Sequence, residues 1–164
     1  MDLELETAGA IQYINHATML TGIACENIIA AFRVFTYEKI EHTMILADRI
    51  HYFGGFPSLR VGRVHSSDDN EEMVLFDFED AEDAIRRFKI RIVQAEQLKE
   101  LELSKQLRMI LAAVQQQALF LKKLVRADDR QGEDASPASI DLSDFSLGWA
   151  ERAIRVPVRI KKMK

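Results

Sequence analysis

Ile28, Ala31, Phe35, Glu38, His42 and Ile45 recur at alternating spacings of three and four, the period of one face of an α-helix. That face is apolar except for one carboxylate and one imidazole, which stand one turn apart. Polar groups on a core stripe must be paired, hydrogen-bonded or metal-bound, because burying one alone costs ~2–7 kcal/mol. The stripe therefore predicts a helical bundle with a charged or metal-bearing centre.

Three further segments share this period. The first predicted helix runs from Leu3 to about Thr21, with Leu5, Tyr13, Ile14, Ala17 and Leu20 among its apolar positions. The second runs from about Cys25 to Phe53 and is stopped by Gly54-Gly55 and Pro57. Pro57 to Asn70 has no helical period, and its acidic end can cap the next helix. The third helix is expected from about Glu71 to Leu98, with Val74, Phe78, Ala81, Ile85, Phe88 and Ile92 on its stripe. The fourth is expected from about Leu103 to Val125, with Leu107, Ile110, Val114, Gln117 and Leu121 facing inward. Between these two, Lys99 to Glu102 contains neither glycine nor proline. Two helical hairpins joined by one long crossover give an all-α, ferritin-like four-helix topology.

Composition supports one core. With 164 residues, 48% of them hydrophobic, and a net charge of −4, the chain can bury a single domain and is not disordered overall. Cys25 is the only cysteine, which excludes an intrachain disulfide framework and a thiolate zinc cluster and suits a cytoplasmic setting. Asp2, Glu4 and Glu6 stand where a secretion signal would carry basic residues, and no membrane segment is visible.

Residues 3 to 125 resemble a bacterioferritin, within the ferritin-like family. The resemblance rests on Glu6, Ala10-Ile11-Gln12-Tyr13 and His16-Ala17-Thr18-Met19-Leu20 in the first helix, and on His42, Arg49-Ile50 and Phe53-x-Gly55-x-Pro57 in and after the second. It implies iron chemistry at the bundle centre, with carboxylates and imidazoles from four helices around two metal ions.

Carried over residue by residue, the resemblance makes Glu6 the first-helix ligand and His42 the second-helix histidine. The bridging glutamate falls on Lys39, leaving Glu38 and Glu41 beside it as replacements. The third-helix ligand falls on Ala81 or, after a one-residue slip, on Glu82, and the fourth-helix pair falls on Val114 and Gln117. Two readings follow. In one, Glu6, Glu38, Glu41, His42, Glu82 and Gln117 furnish an incomplete or rearranged site for one or two irons per chain. In the other, Lys39 is a fixed cation neutralising the remaining carboxylates, and Val114 closes the core. The family's haem methionine falls on Ile40, so no haem is expected there.

His16 reads as a core or interface histidine, and His51 and His65 as solvent-facing. Asp77, Glu79, Asp80, Glu82 and Asp83 read as a solvated acidic face. The expected organisation is a bundle over 1–126, a flexible polar linker over 127–139, and an amphipathic basic segment over 140–164 containing Phe145, Leu147 and Trp149. That segment suggests docking on the same oligomer or on a shell protein. Expected partners are further copies of the chain, as dimers building a larger cage, and a co-assembling ferritin or shell protein. Neither a membrane nor a nucleic acid is expected. A non-catalytic structural subunit is the alternative to an iron-storage role.

Overall fold

The structure is a computed structural model that describes residues 1–22 and 25–128. The linker and terminal segment expected beyond these lie outside the described residues. Four helices follow in order: α1 (Asp2–Met19), α2 (Glu26–Tyr52), α3 (Asn70–Gln97) and α4 (Leu101–Asp128). No strand occurs among the described residues.

Each helix end has a local cause. After α2, the Gly54 and Gly55 amides turn back to the His51 and Ile50 carbonyls, with Gly54 in the left-handed region at φ 77°. This closure satisfies carbonyls that the helix leaves free, and glycine takes the conformation without steric cost. The same closure ends α3: the Lys99 and Glu100 amides reach the Glu96 and Ala95 carbonyls, and Lys99 adopts φ 62°. The break between α3 and α4 thus carries no glycine signal, because a lysine occupies the left-handed position. At the other end of α3, the Asp69 carboxylate accepts from the Glu71 and Glu72 amides at 2.8 and 2.9 Å.

The segment between α2 and α3 runs beside α1 from its start to its end. The Ser58 hydroxyl donates to Glu4 at 2.6 Å, the Gly62 amide to the Glu4 carbonyl at 2.9 Å, the His65 amide to Gln12 at 2.7 Å, and the Asn70 amide group to the Thr21 carbonyl at 2.9 Å. Gly62 allows this close approach, since a Cβ would lie 3.0 Å from Leu5 and 3.1 Å from the Glu4 carbonyl oxygen. This crossover returns the chain to the far end of the bundle, so α3 descends antiparallel to α1 and α4 rises antiparallel to α2.

The hairpins α1–α2 and α3–α4 meet through α1 against α3 and α2 against α4. Tyr13, Phe32, Phe35 and Phe120 form the aromatic layer of the core, with the Tyr13–Phe35 and Phe35–Phe120 ring centroids 5.4 and 5.6 Å apart. Met73, Phe88, Ile110, Val114 and Leu121 extend the core along the bundle, all essentially inaccessible to water. Among the described residues, no helix is long and apolar enough to cross a membrane.

Candidate functional site

Glu6 projects from the second turn of α1 into the bundle, where it is 1% exposed. Lys39 and His42, three residues apart on α2, meet it there. The Lys39 Nζ donates to both Glu6 carboxylate oxygens at 3.1 Å, and the His42 Nδ1 lies 2.9 Å from Glu6 Oε2. Burial pushes the Glu6 carboxyl up, but the Lys39 ammonium and then the His42 contact outweigh it and bring its pKa from 4.5 down to about 2. Glu6 is therefore a carboxylate whose oxygens are already engaged by a fixed cation and an imidazole.

Room for that cation comes from α1 itself. The aliphatic stem of Lys39 crosses the α1 backbone at Gly9, where a Cβ would lie 3.3 Å from both Cδ and Cε. A larger residue at position 9 would press on the stem.

The other sequence candidates disperse. Glu38 pairs across to α4, accepting from Gln117 Nε2 at 2.7 Å, and the Gln117 oxygen is buried with no hydrogen-bond donor among the described residues. Glu41 is exposed, and Glu82 is half-buried on α3 beside the inward-facing Ala81. Val114 faces the centre from α4 with no accessible surface. Among the described residues, no group of three or more His, Cys, Asp or Glu side chains is arranged to hold a metal ion.

A second polar cluster, absent from the sequence reading, lies between α1, α3 and the crossover. His16 and Asp77 are fully buried, with Nδ1 2.8 Å from Asp77 Oδ2 and Nε2 3.1 Å from the His65 carbonyl. A carbonyl only accepts, so Nε2 carries a hydrogen, and one further proton lies between Nδ1 and Oδ2. Gln12 completes the cluster: its amide nitrogen donates to Asp77 at 2.9 Å and Asp80 at 2.8 Å, and its oxygen accepts from the His65 amide. Burial raises the Asp77 carboxyl above 3.8, with the His16 and Gln12 hydrogen bonds opposing it.

Two expectations are corrected here. Asp77 does not belong to a solvated acidic face, because it shares the inward phase of Met73, Val74, Ala81 and Ala84. His65 is not free in solvent: its backbone is held on both sides, and its ring stacks on Phe76 with centroids 5.0 Å apart. The signal for Asp77 was its spacing of four residues from Ala81, obscured by placing Phe78 and Ile85 on the stripe. Nothing local marked Gly9, whose role depends on a lysine thirty residues away.

Comparison with known proteins agrees with this architecture. The family model described as a ferritin-like domain matches residues 1–130. Among solved structures, a ferritin-like diiron-carboxylate protein from Bacillus anthracis strain Ames is similar at 27% identity and a TM-score of 0.73, over 76% of this chain and 89% of that one. A mycobacterial bacterioferritin is similar in fold at 21% identity and a TM-score of 0.72, over 78% of this chain and 80% of that one. No curated protein matches the sequence. With four antiparallel helices, one long crossover and a family match over most of its length, the chain belongs to the ferritin-like domain family.

Proposed function

We propose that the chain is a ferritin-like subunit whose bundle centre is held by the Lys39–Glu6 ion pair and its His42 contact in place of a dinuclear iron site. Its part in iron storage is then structural: it builds the assembly and does not oxidise Fe(II) at its own centre. One observation carries this reading. The Lys39 ammonium sits 3.1 Å from both oxygens of Glu6, and both side chains are buried. A divalent cation on Glu6 would have to displace that ammonium and face it across a low-dielectric core.

The donor set agrees. A pair of irons needs several oxygen and imidazole ligands converging from different helices. Here Ala81 and Val114 offer no donor atom, Gln117 is committed to Glu38, and Glu41 points to solvent. The residues present do not fit a diiron-carboxylate centre. At the haem position Ile40 likewise supplies no ligand atom.

Self-assembly is supported by the outer face of the α1–α2 hairpin. Ile11, Ile14 and Met19 on α1 and Tyr37, Ile40 and Met44 on α2 all expose large apolar surface. Such a face marks an interaction surface, and a second copy of the chain is the proposed occupant, with a larger cage or a co-assembling ferritin built on that dimer. The terminal segment over 140–164, behind the 127–139 linker, is a separate docking element in this reading.

The test is anaerobic Fe(II) titration of the purified oligomer followed by oxygen, with elemental analysis alongside. The expected outcome is a folded oligomer without stoichiometric, His42-dependent iron oxidation. Binding of one or two irons per chain, with rapid oxidation abolished by His42→Ala and Glu6→Ala, would overturn the proposal in favour of a rearranged ferroxidase site.

A further inference from the structure

A cavity of about 470 Å³ opens at the end of the bundle where α1 begins, bounded by Met1 and Leu3. Leu46 and Ile50 of α2, Phe88 and Leu98 at the α3 side, and Leu103 and Leu107 of α4 form its apolar wall.

The rim is cationic. Arg49 and Arg91 both line the cavity. Arg91 is paired with Asp2 at 2.7 Å, whereas the buried Nε of Arg49 has no hydrogen-bond acceptor among the described residues. A buried guanidinium nitrogen without an acceptor is costly, so the site calls for an occupant with an apolar body and a carboxylate.

We propose that this cavity is the docking site of residues 140–149 of the same chain. In Ile140-Asp-Leu-Ser-Asp-Phe-Ser-Leu-Gly-Trp149, Leu142, Phe145 and Trp149 fall at spacings of three and four, and Asp141 and Asp144 are the only charged residues. The stretch is thus apolar and acidic, complementing apolar walls and an arginine rim, whereas the basic residues begin only after it at Arg152. The tether has the right length. From Asp128 at the far end of α4 back to the level of Leu103 and Leu107 is roughly 35 Å. Residues 129–139 span up to ~36–40 Å when extended.

Trp149 is the single tryptophan, so its fluorescence reports this segment alone. In the full chain we expect blue-shifted emission and slow acrylamide quenching, independent of protein concentration. Arg49→Asp on the rim should shift the emission to that of water-exposed tryptophan, and adding Asp144→Arg should restore it. Leu98→Glu should also expose Trp149; Leu98 is 72% exposed, so the bundle tolerates the change, which circular dichroism checks. Emission of an exposed tryptophan in the unsubstituted chain overturns the proposal, as does a buried Trp149 indifferent to Arg49→Asp and Leu98→Glu. Burial that appears only as concentration rises moves the segment to a neighbouring copy and overturns the intramolecular assignment.

Discussion

Lys39 and Gly9 fit one another across the α1–α2 hairpin: the lysine stem lies 3.3 Å from the point where a side chain at position 9 would begin. A glycine inside a helix ordinarily costs ~1 kcal/mol relative to alanine. Here it leaves the path by which an ammonium reaches a buried carboxylate. Gly9→Ala should therefore fail to gain that ~1 kcal/mol and should lower the melting temperature, while the same change in a Lys39→Ala background should be stabilising. A double-mutant cycle by thermal unfolding measures the coupling, and additive effects would mean that the contact does not matter.

Removing one member of a buried ion pair leaves the other uncompensated. Lys39→Met should destabilise the fold by ~3–5 kcal/mol, whereas Gln117→Met should cost about 1 kcal/mol or less. The difference arises because Gln117 loses one hydrogen bond to the half-buried Glu38 and also removes its own unsatisfied oxygen. Urea denaturation of the two variants decides it, and equal losses would contradict the ranking.

Acid stability follows from Glu6. Its folded pKa of about 2 lies below the unfolded value of 4.5, so its contribution is fully present above about 4.5 and is lost as pH falls toward 2. One pKa unit corresponds to 1.36 kcal/mol, which makes the contribution of order 3 kcal/mol. Glu6→Gln should flatten the fall in stability between those pH values. Asp77 acts with the opposite sign. Its raised pKa gives a contribution present below 3.8 that is lost as pH rises through the folded value, so it does not produce the acid loss.

The crossover is held at its middle by His16 and Gln12, both of which take the backbone of His65. His16→Ala or Asp77→Ala should release it, leaving Arg60 and Arg63 open to trypsin. For a local loss of ~1.4 kcal/mol or more, cleavage there should accelerate at least tenfold, read as fragment appearance by mass spectrometry. Unchanged cleavage would show that Ser58, Gly62 and Asn70 hold the segment without the His65 contacts.

Lys99 closes α3 in a conformation that suits glycine, with φ 62°. A side chain in that region costs ~1–2 kcal/mol, so Lys99→Gly should raise the melting temperature. A fall instead would mean that the greater freedom of glycine in the unfolded chain outweighs the relief.

The sequence by itself determined the four helices, the long connection and the inward positions of Glu6, His42 and Gln117. Helical periodicity and the Gly54-Gly55 stop are local properties, written in residues three and four apart. It did not mark the stop at Lys99, because that turn is closed by backbone hydrogen bonds that any residue able to tolerate the left-handed region can serve. Sequence alone also left Lys39 open between a disrupted metal site and a counter-ion. Tertiary structure decided its position: Lys39 Nζ meets Glu6 from another helix, and its stem passes over Gly9. It likewise turned Asp77 from a surface charge into the buried partner of His16, sixty-one residues away. Burial and charge pairing depend on which helices face each other, and that is settled only when the two hairpins close.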